Sequence, residues 1–492
     1  MRCLRWAFSL VLMTSIGSLL SACAFFPRQA LPEQIVKPID VLEPKLALQD
    51  NINNSSANPI EDAWWTAFGD PQLNRLIQLG LKQSPSLDTS GARIAAAQAM
   101  LESERAAFIP QVSVGGQVDR QQLSQNYIFV PGMPIYTGYG LANASLSWSL
   151  DIWGKQKKYF DAAKNQVLVA QANYKASELL LSTTIVRVYF DYDHMVQARA
   201  LYARELEVRK NLLRIAIDRQ HAGLVDALIV NQRKVELESA QANLNQSNLS
   251  VKMMQHQLAA LVQEGPTWGE SLKAPSIQAN NLSLPEVIPS DLLERRPDLQ
   301  ALLSQIDVAK LQLEGAKLEY LPDVNLVGFI GVQSFGLSQL FSSRSQQFSI
   351  GPAINLPIFD GGVIDANVTG KEANRNQAIA SYQEQLAQAL REVADSIGSV
   401  KNTQANYEGF ANAEISARRN FEITRSRSEV GIASKEASLT AEQAYLLQGQ
   451  NYADAKSKML TANVVLVQAS GGSYLQSKSE SKTQAKLSRQ TQ

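Results

Sequence analysis

Between residues 155 and 264 the chain has no proline and a single glycine, Gly223, and no proline follows Pro357. Helices of ordinary globular domains average about 11–12 residues, so a run this free of breakers permits a rod. The residue types agree. Ala, Leu, Gln, Glu, Lys and Arg dominate, as in Ala170-Gln-Ala-Asn-Tyr-Lys-Ala-Ser-Glu-Leu-Leu-Leu181, and these side chains lose least on entering a helix. From Gly154 to His221 and from Gly361 to Ser428 are 68 residues each, about 100 Å at the helical rise.

The two runs are copies of one another. Adding 212 carries Pro85, Leu87 and Pro110 onto Pro297, Leu299 and Pro322, and adding 207 to 208 carries Gly154, Tyr174 and Gly223 onto Gly361, Tyr382 and Gly431. A period this long is one fold unit duplicated, not a solenoid of short repeats. Each unit reads as a helical stretch ending at proline, two alternating segments around a polar loop, a rod, one glycine and a return helix. The repeats are expected at 62–286 and 287–475, with rods at about 154–221 and 361–429 and return helices from 224 and 432. In Ala222-Gly223-Leu224 and Val430-Gly431-Ile432, the glycine supplies the left-handed residue that closes a helix. Two equivalent hairpin tips follow.

The alternating segments have a strict period of two. In Ala142-Asn-Ala-Ser-Leu-Ser-Trp-Ser-Leu150 the even positions are apolar; in the second copy Phe348, Ile350, Pro352, Ile354 and Leu356 share one side. Val112 and Val114 begin one partner, and Val324, Leu326, Gly328, Ile330 and Val332 line the other. Strands are expected at about 110–118, 141–151, 322–333 and 347–358. Their length suits either a transmembrane β-strand or a half-buried strand of a soluble sandwich.

The N-terminus bears on that choice. Met1 to Ala22 has a basic start, an apolar run from Trp6 to Leu20 and small residues at its end, the pattern of a secretory signal peptide. Leu20-Ser21-Ala22-Cys23 resembles the bacterial lipobox, which implies a covalent lipid on Cys23, and Ala24 in place of aspartate implies sorting to the outer membrane. Loss of residues 1–22 takes Arg2 and Arg5 from 46 basic residues and nothing from 46 acidic ones, so the charge stays near neutral and no basic excess points to nucleic acid. Residues 23–61, with Pro27, Pro32, Pro38, Pro44 and Pro59, read as an extended segment, and 476–492 as a disordered tail. At an outer membrane, four strands cannot close a barrel, since about eight is the smallest observed, and an open edge in hydrocarbon is prohibitive. Copies of the chain must pool their strands: two give eight around a filled interior, three give twelve around a lumen.

Leu292-Leu-Glu-Arg-Arg-Pro-Asp-Leu299, Leu356-Pro-Ile-Phe-Asp-Gly-Gly362 and Trp64-Trp65 with Phe68-Gly-Asp-Pro71 closely resemble motifs of the TolC-like outer membrane efflux factors, in their lipoprotein, NodT/OprM-like branch. The resemblance runs from about residue 62 to 475. It implies a mainly α chain with a membrane β-barrel: a homotrimer with a shared 12-stranded barrel and a periplasmic α-barrel. By the same resemblance it serves as the exit duct of a tripartite pump, with a periplasmic adaptor and an inner-membrane transporter as partners and no cofactor. The tips at Ala222, Gly223, Leu224, Val430, Gly431 and Ile432 are then the adaptor contacts. Many members narrow the periplasmic end with aspartate rings, and here the match departs. Ser434-Lys-Glu-Ala-Ser-Leu-Thr440 has no aspartate, which leaves Glu436 and Glu442 as acidic rings or as solvated outer-face residues, Leu439 as an apolar constriction, and Asp226 open to the same two readings.

Enzymatic motifs are absent from the sequence: there is no Walker motif, CxxC, nucleophile elbow or paired catalytic histidine. His194, His221 and His256 are scattered, and Asp191-Tyr-Asp-His194 offers too few donors for a metal. Two other functions share the features above, a channel for secreted polypeptides and a non-conducting structural lipoprotein.

Overall fold

The computed structural model describes residues 63–122, 124, 136–277 and 296–472. The expected signal peptide, Cys23, the 23–61 segment and the 476–492 tail lie outside the described residues. A one-and-a-half-turn 3-10 helix, Trp64–Phe68, leads into α1 (Pro71–Gln83) and α2 (Pro85–Ala106), then β1 (Gln111–Gln122), β2 (Tyr136–Ser149), α3 (Lys155–His221) and α4 (Ala227–Leu261). The second copy is α5 (Pro297–Lys317), β3 (Asp323–Phe335), β4 (Gln346–Asn355), α6 (Val363–Glu429) and α7 (Lys435–Ala469).

The duplication is exact to the residue in its long elements. Both rods, α3 and α6, are 67 residues, and both return helices, α4 and α7, are 35. Each rod starts from a carboxylate that follows a strand: Asp151 accepts from the backbone N–H of Gln156 and Lys157 at 2.9 and 2.8 Å, and Asp360 from Gly362 and Ile364 at 2.9 and 2.7 Å. Those N–H groups hold the Asp360 carboxyl below its ordinary range, as expected where orphan donors of a first turn meet an anion.

Both rods pack on α5 and on α7, and α3 also on α1, α2 and α4. The main core lies midway along α3, where Ile185, Tyr189 and Phe190 meet Phe68, Leu73 and Ile77 on one side and Leu460 and Val464 of α7 on another. Phe68 and Phe190 touch edge to face, centroids 4.9 Å apart. Asp70, 2% exposed, ties this core together. It caps α1 through Gln72 N–H (2.8 Å), accepts from Tyr189 Oη (2.7 Å) and takes the N–H of Ser276 from the segment after α4 (2.8 Å). Asp70→Ala strands three donors, of which the Tyr189 hydroxyl is in the interior, and is expected to cost about 3 kcal/mol; Tyr189→Phe removes that hydroxyl's two hydrogen bonds, to Asp70 and from Gln72 Nε2 (3.1 Å), and is expected to cost about 1–2 kcal/mol. Thermal unfolding of the two variants measures the difference.

The four strands form one antiparallel sheet in the order β1-β2-β3-β4, so among the described residues β1 and β4 each leave an edge without a partner. Its register aligns apolar side chains in rows across the sheet: Val112, Leu146, Gly328 and Ile350 in one, Val114, Ala144, Ile330 and Phe348 in the next. The opposite rows are mostly polar, as in Ser113, Ser145, Phe329 and Ser349. Among the described residues the rows of Val114 and Phe348 stand bare. Val114 is 83% and Phe348 81% exposed.

Several boundaries differ from expectation. β1 and β2 run on to Gln122 and Tyr136, because backbone pairing continues through polar residues after the apolar alternation has ended. β4 stops at Asn355 rather than 358, since Pro357 has no N–H for a ladder. The return helices begin at 227 and 435 rather than 224 and 432, because the intervening residues make the turn.

Candidate functional site

Two regions carry chemistry, the tips of the helical hairpins and the sheet. At the first tip α3 ends in a Schellman arrangement: Gly223 has φ +70°, its N–H reaches Gln220 O at 2.9 Å, and Leu224 N–H reaches Arg219 O at 2.9 Å. The second tip repeats it, with Gly431 at φ +77°, its N–H on Ser428 O at 3.2 Å and Ile432 N–H on Arg427 O at 2.8 Å. Ala222 and Val430 are the C-cap residues. The return helices are also capped alike: Asp226 accepts from Leu228 and Ile229 N–H, and Ser434 from Ala437 N–H. Asp226 is therefore a helix cap at its own tip, which accounts for it without a role in a ring. In most such turns the residue after the glycine packs back on the helix; here Leu224, Ile432 and Val430 are all at least 70% exposed. Each tip presents bare apolar surface.

Two turns beyond the second tip, the acidic residues stand differently from expectation. Glu436 binds Arg219 of α3 and, at 3.3 Å, Arg233 of α4. Glu442, 5% exposed, receives Arg204 Nε at 2.5 Å. The chain of pairs continues, with Arg233 2.9 Å and Arg209 2.8 Å from Glu236. Neither carboxylate is thus a free acid facing open space, and Glu442 is not a solvated outer-face residue; both bind the second hairpin to the first. Leu439, 8% exposed, packs among Val208, Leu212 and Leu446 between the same helices, so within a protomer it is core. Sequence reading missed the arginines. The local signs were the spacings of Glu205 and Arg209, paired at i,i+4 (3.3 Å), and of Arg233 and Glu236, paired at i,i+3 (2.9 Å); the other partners lie up to 238 residues apart.

Among the described residues no three metal-ligating side chains come together, and Asp193 is engaged by Lys456 at 3.1 Å and Gln197 at 2.7 Å. No described helix is long and apolar enough to cross a membrane.

A duplicated chain whose open sheet has one apolar side, set at the head of paired helical rods, defines a protomer of a TolC-like channel. The outer membrane efflux protein family model matches residues 76–263 and 288–472, and the chain belongs to that family. It is 27% identical over 426 residues to the multidrug resistance outer membrane protein MdtQ of Escherichia coli O157:H7, covering 84% of this chain and 88% of the relative. With the multidrug resistance outer membrane protein MdtP of Escherichia coli K12 it shares 25% identity over 477 residues, 94% of this chain and 96% of that one. The crystal structure of the outer membrane protein VceC from Vibrio cholerae superposes with a TM-score of 0.75 at 30% identity, covering 84% of this chain and 99% of VceC. The Campylobacter jejuni CmeC outer membrane channel, at 24% identity and TM-score 0.79 over 94% of this chain and 98% of CmeC, shares the fold.

Proposed function

We propose that the chain is an outer membrane exit duct for drugs or other small molecules, working passively at the end of a tripartite pump. The observation that carries this is the bare apolar side of a sheet with two unpartnered edges. A strand edge in hydrocarbon costs several kcal/mol for each unpaired backbone group, so the sheet must be completed by other copies. Three copies supply twelve strands, which leaves room for water where eight would fill with side chains. The polar rows then face the lumen and the rods continue the wall into the periplasm. The names of the multidrug relatives favour small molecules over secreted polypeptides. An inner-membrane transporter supplies the energy, and a periplasmic adaptor meets the exposed Leu224, Val430 and Ile432. Purified protein in a planar bilayer should conduct, and deletion of the gene should sensitise cells to several unrelated compounds. A detergent-free soluble monomer without conductance would sink the reading and leave the structural lipoprotein standing.

The periplasmic end is held by the arginine–carboxylate chain of Glu436 and Glu442. Partly exposed pairs contribute roughly 0.2–1 kcal/mol each, and salt screens them. The double variant Glu436→Gln/Glu442→Gln is expected to raise resting conductance, with the excess over wild type shrinking at high salt; equal currents in low salt would remove these residues from the gate. Lipid on Cys23 predicts a diacyl or triacyl mass shift of the mature protein, absent in Cys23→Ser.

A further inference from the structure

The segment joining β3 to β4, residues 336–345, folds back over one side of the sheet instead of arching away from its end. Gly336 leaves β3 at φ +97° while its N–H reaches Gly138 O at 2.7 Å. Two 3-10 turns follow, Leu337–Gln339 and Ser343–Ser345. The segment closes on itself through Ser345, 8% exposed, whose Oγ donates to Gln339 O at 2.7 Å. Leu337 and Leu340 lie over Gly138 and Gly140, so close that a Cβ on residue 140 would come to 3.0 Å from both leucines.

The side they cover follows from the register. Pairing of β2 continues without a bulge from 139 to 147 with β1 and from 139 to 149 with β3, so a side chain at 140 points the same way as those of Ala142, Ala144, Leu146 and Trp148. That is the apolar side. Leu340 is spent on this contact, at 7% exposure, whereas Leu337 is 48% and Phe341 84% exposed. Both belong to the loop that joins the strands of Ile330 and Phe348, at the end of the sheet away from the rods. Arg344, in the same loop, is exposed and has no ion-pair partner among the described residues.

An exposed aromatic ring and an exposed guanidinium in one loop whose leucines lie on the apolar side combine the two chemistries of a bilayer surface: rings settle at headgroup depth, and arginine matches phosphate oxygens in pairs. We propose that the β3–β4 loop is a collar that docks on the outer leaflet, with Leu337 and Phe341 at the edge of the acyl chains and Arg344 on a phosphate-bearing lipid headgroup. The inference rests on the membrane reading of the sheet, which sets the loop at the end opposite the rods. Its consequence is that this loop leaves the mouth of the duct clear.

Spin labels test it on the full chain in vesicles. In a background lacking Cys3 and Cys23, single labels are placed through Phe341→Cys, Ile350→Cys on the apolar rows and Glu429→Cys at a hairpin tip. Collision with oxygen, which concentrates in lipid, is compared with collision with a water-soluble nickel chelate. The label at 341 is expected to behave like that at 350, several-fold shielded from the chelate relative to 429. If 350 is shielded while 341 matches 429, the collar is overturned and the barrel reading stands; if 350 also matches 429, both fall. Adding phosphatidylglycerol to phosphatidylcholine vesicles is expected to deepen the label at 341, and Arg344→Gln to abolish that change. Depth indifferent to the anionic lipid in the parent protein overturns the Arg344 contact.

Discussion

Cells carrying Gly223→Val together with Gly431→Val are expected to lose efflux-dependent drug tolerance while the protein still assembles in the membrane. Nothing lies within 4 Å of a Cβ added to either glycine, so the substitutions meet no neighbour and the whole effect is in the backbone. At φ +70° and +77° an L-residue costs roughly 1–2 kcal/mol, and a β-branched one is worse placed than most. A tip can escape that cost by unwinding the last turn of its rod, which displaces Leu224 or Ile432 and the apolar surface they present. Two tips together cost about 2–4 kcal/mol of the docking geometry, a roughly thirty- to several-hundred-fold loss of competent tips. The rods are anchored far away, so the fold survives. Asparagine, which tolerates the left-handed region, makes the discriminating control: Gly223→Asn/Gly431→Asn should retain most tolerance. If the valine pair keeps full tolerance, the tips do not dock the adaptor.

Arg296→Ala is expected to lower stability by about 3 kcal/mol and to reduce assembled protein. The guanidinium, 6% exposed, ties together three elements of the second repeat. It grips Asp298 in α5 through Nε at 3.1 Å and Nη2 at 2.8 Å, reaches Glu392 of α6 at 3.0 Å, and donates from Nη1 to Ala469 O at the end of α7 at 2.9 Å. Removing the cation leaves the two carboxylates without their shared partner and the Ala469 carbonyl unmet. Loss of one buried partner typically costs 3–5 kcal/mol; Asp298 and Glu392 keep 33% and 37% of their side-chain surface in water, which places this case at the lower end. Lysine keeps the charge and forfeits the two-pronged grip, so Arg296→Lys should recover part of the loss.

The same site has a pH signature. Burial raises the Asp298 carboxyl, but the hydrogen bonds and charge of Arg296 outweigh it and the net shift is downward. A carboxyl depressed in the folded state stabilises above its unfolded value, about 3.9, and that stabilisation disappears as pH falls through the lower folded value. The gap in stability between the parent and Arg296→Ala should therefore be full at neutral pH and close below about pH 4. Melting temperatures of both proteins across that range would reveal a constant gap if the pair is irrelevant.

Arg296 also illustrates where reading the sequence stops. The motif around it, Leu292 to Leu299, marked the family, yet its partners at 392 and 469 come from helices that begin and end far along the chain. The arginines that engage Glu436 and Glu442 were equally invisible, because the pairing of a carboxylate depends on neighbours from another hairpin. The fold of the 336–345 loop onto the apolar side was hidden too, because Leu337 and Leu340 find room only where Gly138 and Gly140 come alongside in space.

By contrast, the rods, the tips and the pleated rows could be read from single residues and their spacing. Absence of proline, a glycine forced to positive φ, and apolar residues at every second place are local constraints, each set by the backbone within a few residues and then written twice into the chain. Pairing of charges, covering of apolar surface and the choice of which helix a side chain meets belong to segments hundreds of residues apart. Those energies exist only after the two repeats have packed, and no local pattern encodes them.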